Sequence, residues 1–156
     1  LGFFAMGDAG RLCDETAPEK GVLFDGRTAE NFKLSSGTWV RVGELRIALI
    51  AACAPLVADV VLAGHDRDEV GALLFLAPHA VASEVLESLR ERIRHHNTHA
   101  GGTSARITRF AVLAEAPNLA AGEITDKGYI NQRAVLERRS GLVEALFREA
   151  HHQVDD

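Results

Sequence analysis

The chain predicts a small α+β domain: a three-stranded sheet with flanking helices, preceded by an N-terminal β-hairpin. Three observations carry that expectation. Two apolar, β-branched-rich runs, LVADVVLA at 56–63 and VGALLFL at 70–76, bracket the charged turn 64–69 and predict an antiparallel pair. Val85, Leu86, Leu89 and Ile93 recur at helical spacing, placing one apolar face on a helix over 82–97. A third run, ITRFAVLA at 107–114, follows the Gly101-Gly102 break and precedes a last amphipathic segment at 131–149.

Taken in order, residues 1–27 mix short apolar runs with Gly, Asp, Pro and Glu and read as strands and turns. Asp25-Gly26 is a tight-turn signal, because glycine reaches positive φ without steric cost. Arg27 follows, a permanently charged fork of donors suited to ribose hydroxyls and phosphate oxygens. Phe32-Lys33-Leu34 and Thr38-Trp39-Val40 read as two short strands around the Ser35-Ser36-Gly37 turn. The Leu/Ile/Ala-rich stretch 44–54 forms a helix that stops before Pro55. Val135, Leu136, Leu142, Val143 and Leu146 turn the last helix inward, and 151–156 is expected to fray as a disordered tail.

Composition narrows the function classes. With 156 residues, 47% hydrophobic and 25% charged, the chain is large enough to bury one core. A net charge of -5 argues against a nucleic-acid binder, which needs a basic footprint. No apolar run approaches the roughly 20 residues that span a bilayer. Cys13 and Cys53 lack metal or redox spacing and fit a reducing cytoplasm. The chain starts on Leu1 inside a strand-like run and is expected to be a piece of something longer.

Three motifs in order carry a resemblance: Met6-Gly7-Asp8-Ala9-Gly10, FDGRTAENFKLSSGTWV at 24–40, and PNLAAGEITDKGYINQR at 117–133. Together they resemble the acyl-adenylate-forming enzymes, at the junction of their two domains and through the smaller, C-terminal one. The Gly-Arg, strand lysine, glycine loop and later glutamate of that family fall on Gly26, Arg27, Lys33, Gly37 and Glu44. GVLFDGRTAENFKLSSGTWV, PLVADVVLAGHDRDEVGALLF and GEITDKGYINQRAVL are most similar to bacterial feruloyl-CoA synthases and their near relatives. The resemblance covers nearly the whole chain.

It implies a division into 1–27, the tail end of a large N-terminal AMP-binding domain, and 28–150, a mobile C-terminal domain. It also implies a two-step reaction. An aromatic acid and MgATP give an acyl-adenylate and pyrophosphate; the CoA thiol then displaces AMP. Partners are therefore the N-terminal domain, a small aromatic acid, ATP with Mg2+, and CoA, with neither nucleic acid nor membrane. The rivals are an acyl-adenylate ligase that delivers to a carrier protein and a non-catalytic α+β interaction domain.

Residue by residue, Asp8 would take the ribose hydroxyls, since a carboxylate accepts from both and its glycine neighbours admit a nucleotide. The plainer reading is an aspartate in a turn, and Arg27 at the family's spacing favours ribose. Where many relatives carry Gly-Lys, this chain has Gly122-Glu123; the nearest cation is Lys127. The family's long-chain branch also places its lysine several residues on. An ammonium suits the task because substrate carboxylate and ATP phosphates repel, so Lys127, rather than Glu123, is the expected adenylation lysine. The alternative is a surface lysine in a loop. Ala29-Glu30 stands where the family's hinge carries a charge one residue earlier. Gly37 would face the pantetheine arm of CoA; Trp39 either lines that arm or is an apolar anchor buried in the hairpin, the commoner use.

His95 and His99 share a helical face, but no third ligand completes a metal set, and histidines at a helix C-terminus suit its dipole. Arg90, Arg92 and Arg94 spread around their helix, and a solvated face is preferred over contact with the CoA 3′-phosphate. His65, Asp66 and Asp68 read as a solvated turn.

Overall fold

The computed structural model of the chain describes residues 8–27, 30–150 and 153–154. An N-terminal hairpin, β1 (Asp8–Leu12) and β2 (Val22–Arg27), pairs antiparallel around a 3-10 turn at Pro18–Lys20. A second, shorter hairpin follows, β3 (Phe32–Lys33) with β4 (Trp39–Val40). The main sheet has the order β5 (Val57–Ala63), β6 (Val70–Leu76), β7 (Ile107–Leu113). β5 and β6 are antiparallel across the expected turn, while β6 and β7 are parallel. A parallel neighbour requires a crossover, and α2 (Ala82–Thr98) supplies it.

Side chains alternate over Val60–Ala63 and Val70–Phe75, so both strands serve two cores. Val60, Leu62, Val70, Ala72 and Leu74 face α1 (Val42–Cys53) and α2, meeting Leu45, Leu49, Leu89 and Ile93. Val61, Ala63, Leu73 and Phe75 face the other way, onto α3 (Gln132–Arg138) and α4 (Ser140–Arg148) through Val135 and Leu146. Burial on both faces is why β5 and β6 read as near-continuous apolar runs.

The expected architecture stands, with local differences that have physical causes. α1 begins at Val42 rather than 44, because Asn31 Oδ1 accepts the Val42 N–H at 2.9 Å from across the hairpin. Arg41, the residue flanking the helix, makes no side-chain cap of its own. The single helix expected over 131–149 is two helices. Arg139 leaves helical geometry at φ -103°, ψ 29°, and Ser140-Gly141 behind it are weak helix formers. In the stretch expected to fray, Val154 is fully buried and its N–H bonds Thr108 O at 2.9 Å; residues 151–152 and 155–156 lie outside the described residues.

The arginines of α2 correct a second expectation. Arg90 is mostly buried, stacks 5.6 Å from the Phe110 ring and donates to Gln153 O. Arg92 donates to Ala54 O at 2.8 Å, taking a carbonyl orphaned at the end of α1. These two are structural ties, not a solvated face. Cys13 is exposed; Cys53 is buried, and burial pushes its thiol up to about 11.

Gly64 opens the β5–β6 turn at φ +142°, where a Cβ would sit 2.6 Å from the Glu69 backbone oxygen. Both the dihedral and the contact forbid a side chain, and the backbone oxygen cannot yield as a flexible side chain does. Gly64→Ala is expected to destabilise the domain by about 1–3 kcal/mol. The change should appear as a lower urea midpoint at unchanged m-value. An unaltered midpoint would show that the turn relaxes freely.

Candidate functional site

Lys127 stands at the tip of a miniature hairpin. Ile124 and Ile130 form an antiparallel bridge; inside it Thr125 N–H bonds Tyr129 O at 2.8 Å and Gly128 N–H bonds Thr125 O at 2.9 Å. Gly128 takes φ +81°, the left-handed glycine that closes such a turn. Lys127 and Tyr129 are exposed, Tyr129 at 65%. No ion pair or hydrogen bond engages the Lys127 ammonium among the described residues. Beside the hairpin opens an apolar groove of about 600 Å³, lined in part by Phe75, Leu76, Pro78, Leu113, Ile124 and Ile130.

Glu123 has a different role from Lys127. It is 0% exposed, and Arg139 grips it with both arms, Nε to Oε1 at 2.8 Å and Nη2 to Oε2 at 2.9 Å. Arg138 adds a contact at 3.2 Å and Asn118 N–H donates to Oε2 at 2.7 Å. The Arg139 guanidinium, and the other donors after it, hold the Glu123 carboxyl at about 2, well below its ordinary 4.5. Arg139 is raised in turn, chiefly by that carboxylate. Its remaining N–H groups reach Glu115 O at 3.2 Å and Ala116 O at 3.1 Å. Sequence reasoning missed this clamp, because Glu123 and Arg139 lie 16 positions apart with no shared element or motif.

The Gly37 hairpin closes with the same pair of hydrogen bonds but is seated elsewhere. Leu34 N–H bonds Thr38 O at 2.9 Å and Gly37 N–H bonds Leu34 O at 2.8 Å, with Gly37 at φ +82°. It docks on the β5–β6 turn: Asp66 N–H reaches Lys33 O and Ser35 N–H reaches Arg67 O, both at 2.9 Å, and Ser35 Oγ donates to Asp68. The turn expected to be merely solvated therefore carries the hairpin, although the His65 and Asp66 side chains remain exposed. Trp39 is 57% exposed, not buried, and Lys33 Nζ lies 5.0 Å from its ring, a cation–π pair between cross-strand neighbours.

Of the remaining candidates, Asp8 and Arg27 are opposed partners in the β1–β2 register, so the fold brings their backbones together. Ala29 lies outside the described residues. Glu44 is exposed, 3.9 Å from Arg41. His96 Nε2 contacts Ala105 O at 3.0 Å, and His99 Nδ1 contacts His95 O at the same distance. Lys127 is set apart from the Gly37 hairpin. The groove beside it adjoins Ala58, Leu76 and Ala77, whereas the Gly37 hairpin binds Asp66 and Arg67 at the other end of the β5–β6 pair.

Residues 34–151 match the family described as AMP-binding enzyme C-terminal domain. The chain belongs to that family. As an AMP-binding enzyme C-terminal domain it shares its fold with parts of larger solved structures. The A domain of a carboxylic acid reductase from Segniliparus rugosus, solved with AMP and a co-purified carboxylic acid, is 21% identical over 91% of this chain and 23% of its own, with TM-score 0.73. An anthranilate CoA ligase in complex with anthranoyl-AMP is 23% identical over 90% of this chain and 25% of its own, TM-score 0.61. A Mycobacterium tuberculosis fatty acyl CoA synthetase is 18% identical over 87% and 24%, TM-score 0.57. The chain thus spans about a quarter of each of these structures. No curated protein sequence matches it. No described helix is long and apolar enough to cross a membrane.

Proposed function

We propose that this chain is the moving lobe of a cytoplasmic, ATP-dependent, AMP-forming acyl-CoA synthetase that activates an aromatic carboxylic acid of the ferulate type. Residues 1–27 end the large AMP-binding domain and 28–150 form the lobe that turns on it. The observation that carries this reading is the separation of the two hairpins. β5 and β6 have seven residues each, so their pair is about 20 Å long, at roughly 3.3 Å per residue. One orientation of the lobe cannot present both Lys127 and Gly37 to the same nucleotide. A rotation about 27–31 would exchange them.

In the first orientation Lys127 faces the reacting groups. The acid's carboxylate oxygen attacks the α-phosphorus, pyrophosphate leaves, and the ammonium neutralises two anions forced together. Asp8 accepts from the ribose hydroxyls and Arg27 donates to ribose or phosphate oxygens. In the second orientation the Gly37 hairpin flanks the pantetheine arm, with exposed Trp39 against it. The thiol sulfur then attacks the acyl carbon and AMP departs. Mg2+ would accompany the triphosphate; among the described residues no group of three or more His, Cys, Asp or Glu is arranged to hold a metal ion.

ATP–pyrophosphate exchange by the full-length protein, across a panel of aromatic acids, tests the reading. Ferulate or a close analogue should support exchange and then yield a thioester with free CoA, while the 156-residue chain alone supports none. A thioester formed only on a carrier protein would move the protein to the rival ligase class. Absence of exchange with every acid would favour the interaction domain.

A further inference from the structure

Building on the reading of Lys127 as the adenylation lysine, we infer that the buried Glu123–Arg139 pair is its positioning device. The loop from Glu115 to Asn131 leaves β7 and returns at α3, and a loop of this length is ordinarily free to wander. Here its two ends converge on one ion pair. Arg139 takes the carbonyls of Glu115 and Ala116 on the outgoing side. Glu123 accepts Asn118 N–H through its side chain, donates its own N–H to Asn118 O at 3.0 Å, and accepts Asn131 N–H at 2.8 Å on the returning side.

Two exposed turns extend from this knot, 118–122 and the apex Asp126 to Tyr129 that carries Lys127. Three residues separate Glu123 from Lys127, and the Ile124–Ile130 bridge stiffens them, so displacement at Glu123 is passed to the lysine backbone. Arg139 is itself fixed, at the break between α3 and α4, 5.2 Å from the Phe75 ring. A carboxylate thus fills the position after the loop glycine, and it supports the cation instead of supplying one.

Rates in the two half-reactions separate positioning from general stability. In the full-length enzyme, Glu123→Gln and Arg139→Lys keep the shape of the site and weaken the fork. Each is expected to lower the adenylation rate constant at saturating ATP and acid by about 10–100-fold, since an ångström of misplacement has that effect. Thioester formation from supplied acyl-adenylate, which uses the other hairpin, should change by less than about 2-fold. Because both act through the ammonium, the double variant Glu123→Gln/Lys127→Ala should be no slower than Lys127→Ala alone.

Equal losses in both half-reactions, or multiplicative losses in the double variant, would overturn the inference. Adenylation that survives Lys127→Ala is a separate outcome and removes the lysine assignment beneath it. If Glu123→Gln or Arg139→Lys does not fold, Arg138→Ala carries the test. It strips the 3.2 Å outer contact and keeps the bidentate pair, and should slow adenylation alone by about 2–5-fold. No change in that variant then counts against the inference.

Discussion

Lys127→Ala in the full-length enzyme is expected to slow adenylation by about 10²–10³-fold, the usual effect of deleting one preorganised donor to developing negative charge. Conversion of supplied acyl-adenylate and CoA to thioester should stay within about 3-fold of the parent, because the proposed mechanism puts the transition state for that step beside the other hairpin. The asymmetry follows from placement. Lys127 is exposed at a turn apex, and among the described residues its ammonium has no internal partner whose loss could unfold the domain. Its removal therefore deletes a charge and little else. Lys127→Arg should recover part of the rate, since the charge remains but the planar fork replaces a compact point charge. Pyrophosphate exchange and single-turnover thioester formation read the two halves. Exchange at the parent rate in Lys127→Ala would remove the residue from the chemistry.

The second large effect is on stability. Glu123→Ala leaves Arg139 as an uncompensated buried cation and abandons the Asn118 amide, and breaking such a pair costs about 3–5 kcal/mol. Arg139→Ala strands the carboxylate instead and should cost a similar amount. The pH dependence has a definite sign. The folded protein holds the Glu123 carboxyl at about 2 and the unfolded chain near 4.5, so the unfolded state binds the proton more readily in between. The pair's stabilisation is complete above the unfolded value and disappears as pH falls through the folded one. The difference in unfolding free energy between the parent and Glu123→Gln should therefore narrow between those two pH values. Urea titrations across that range measure it. A constant difference would mean that the carboxyl titrates alike in both states.

Much of the fold is legible in the chain because its signals are local. β6 spans Val70–Leu76, the apolar run itself, and β7 and α2 follow their apolar patterns to within a residue. Gly37 marks a turn because left-handed backbone is demanded there, and that demand is felt by one residue at a time. The charge sign that singles out Lys127 over Glu123 is legible for the same reason. The Arg90–Arg92–Arg94 run shows the limit. Alternation around a helix predicts solvated side chains, but Arg92 finds a free carbonyl at the end of α1 and Arg90 finds the Gln153 carbonyl. Neither acceptor is near in sequence.

By itself, the sequence determined the α+β class, the order of strands and helices, the Gly37 turn, and a lysine in the loop before the last helical segment. Periodicity, turn chemistry and charge are properties of short windows, so they survive without a fold. Only the tertiary structure decided that Asp8 and Arg27 stand opposite each other, that Trp39 is exposed, and that the two hairpins sit at opposite ends of one strand pair. It alone turned Glu123 from a gap in a motif into the anchor of the loop. Those facts depend on pairings between distant segments, and a buried ion pair exists only once both partners have been removed from water together.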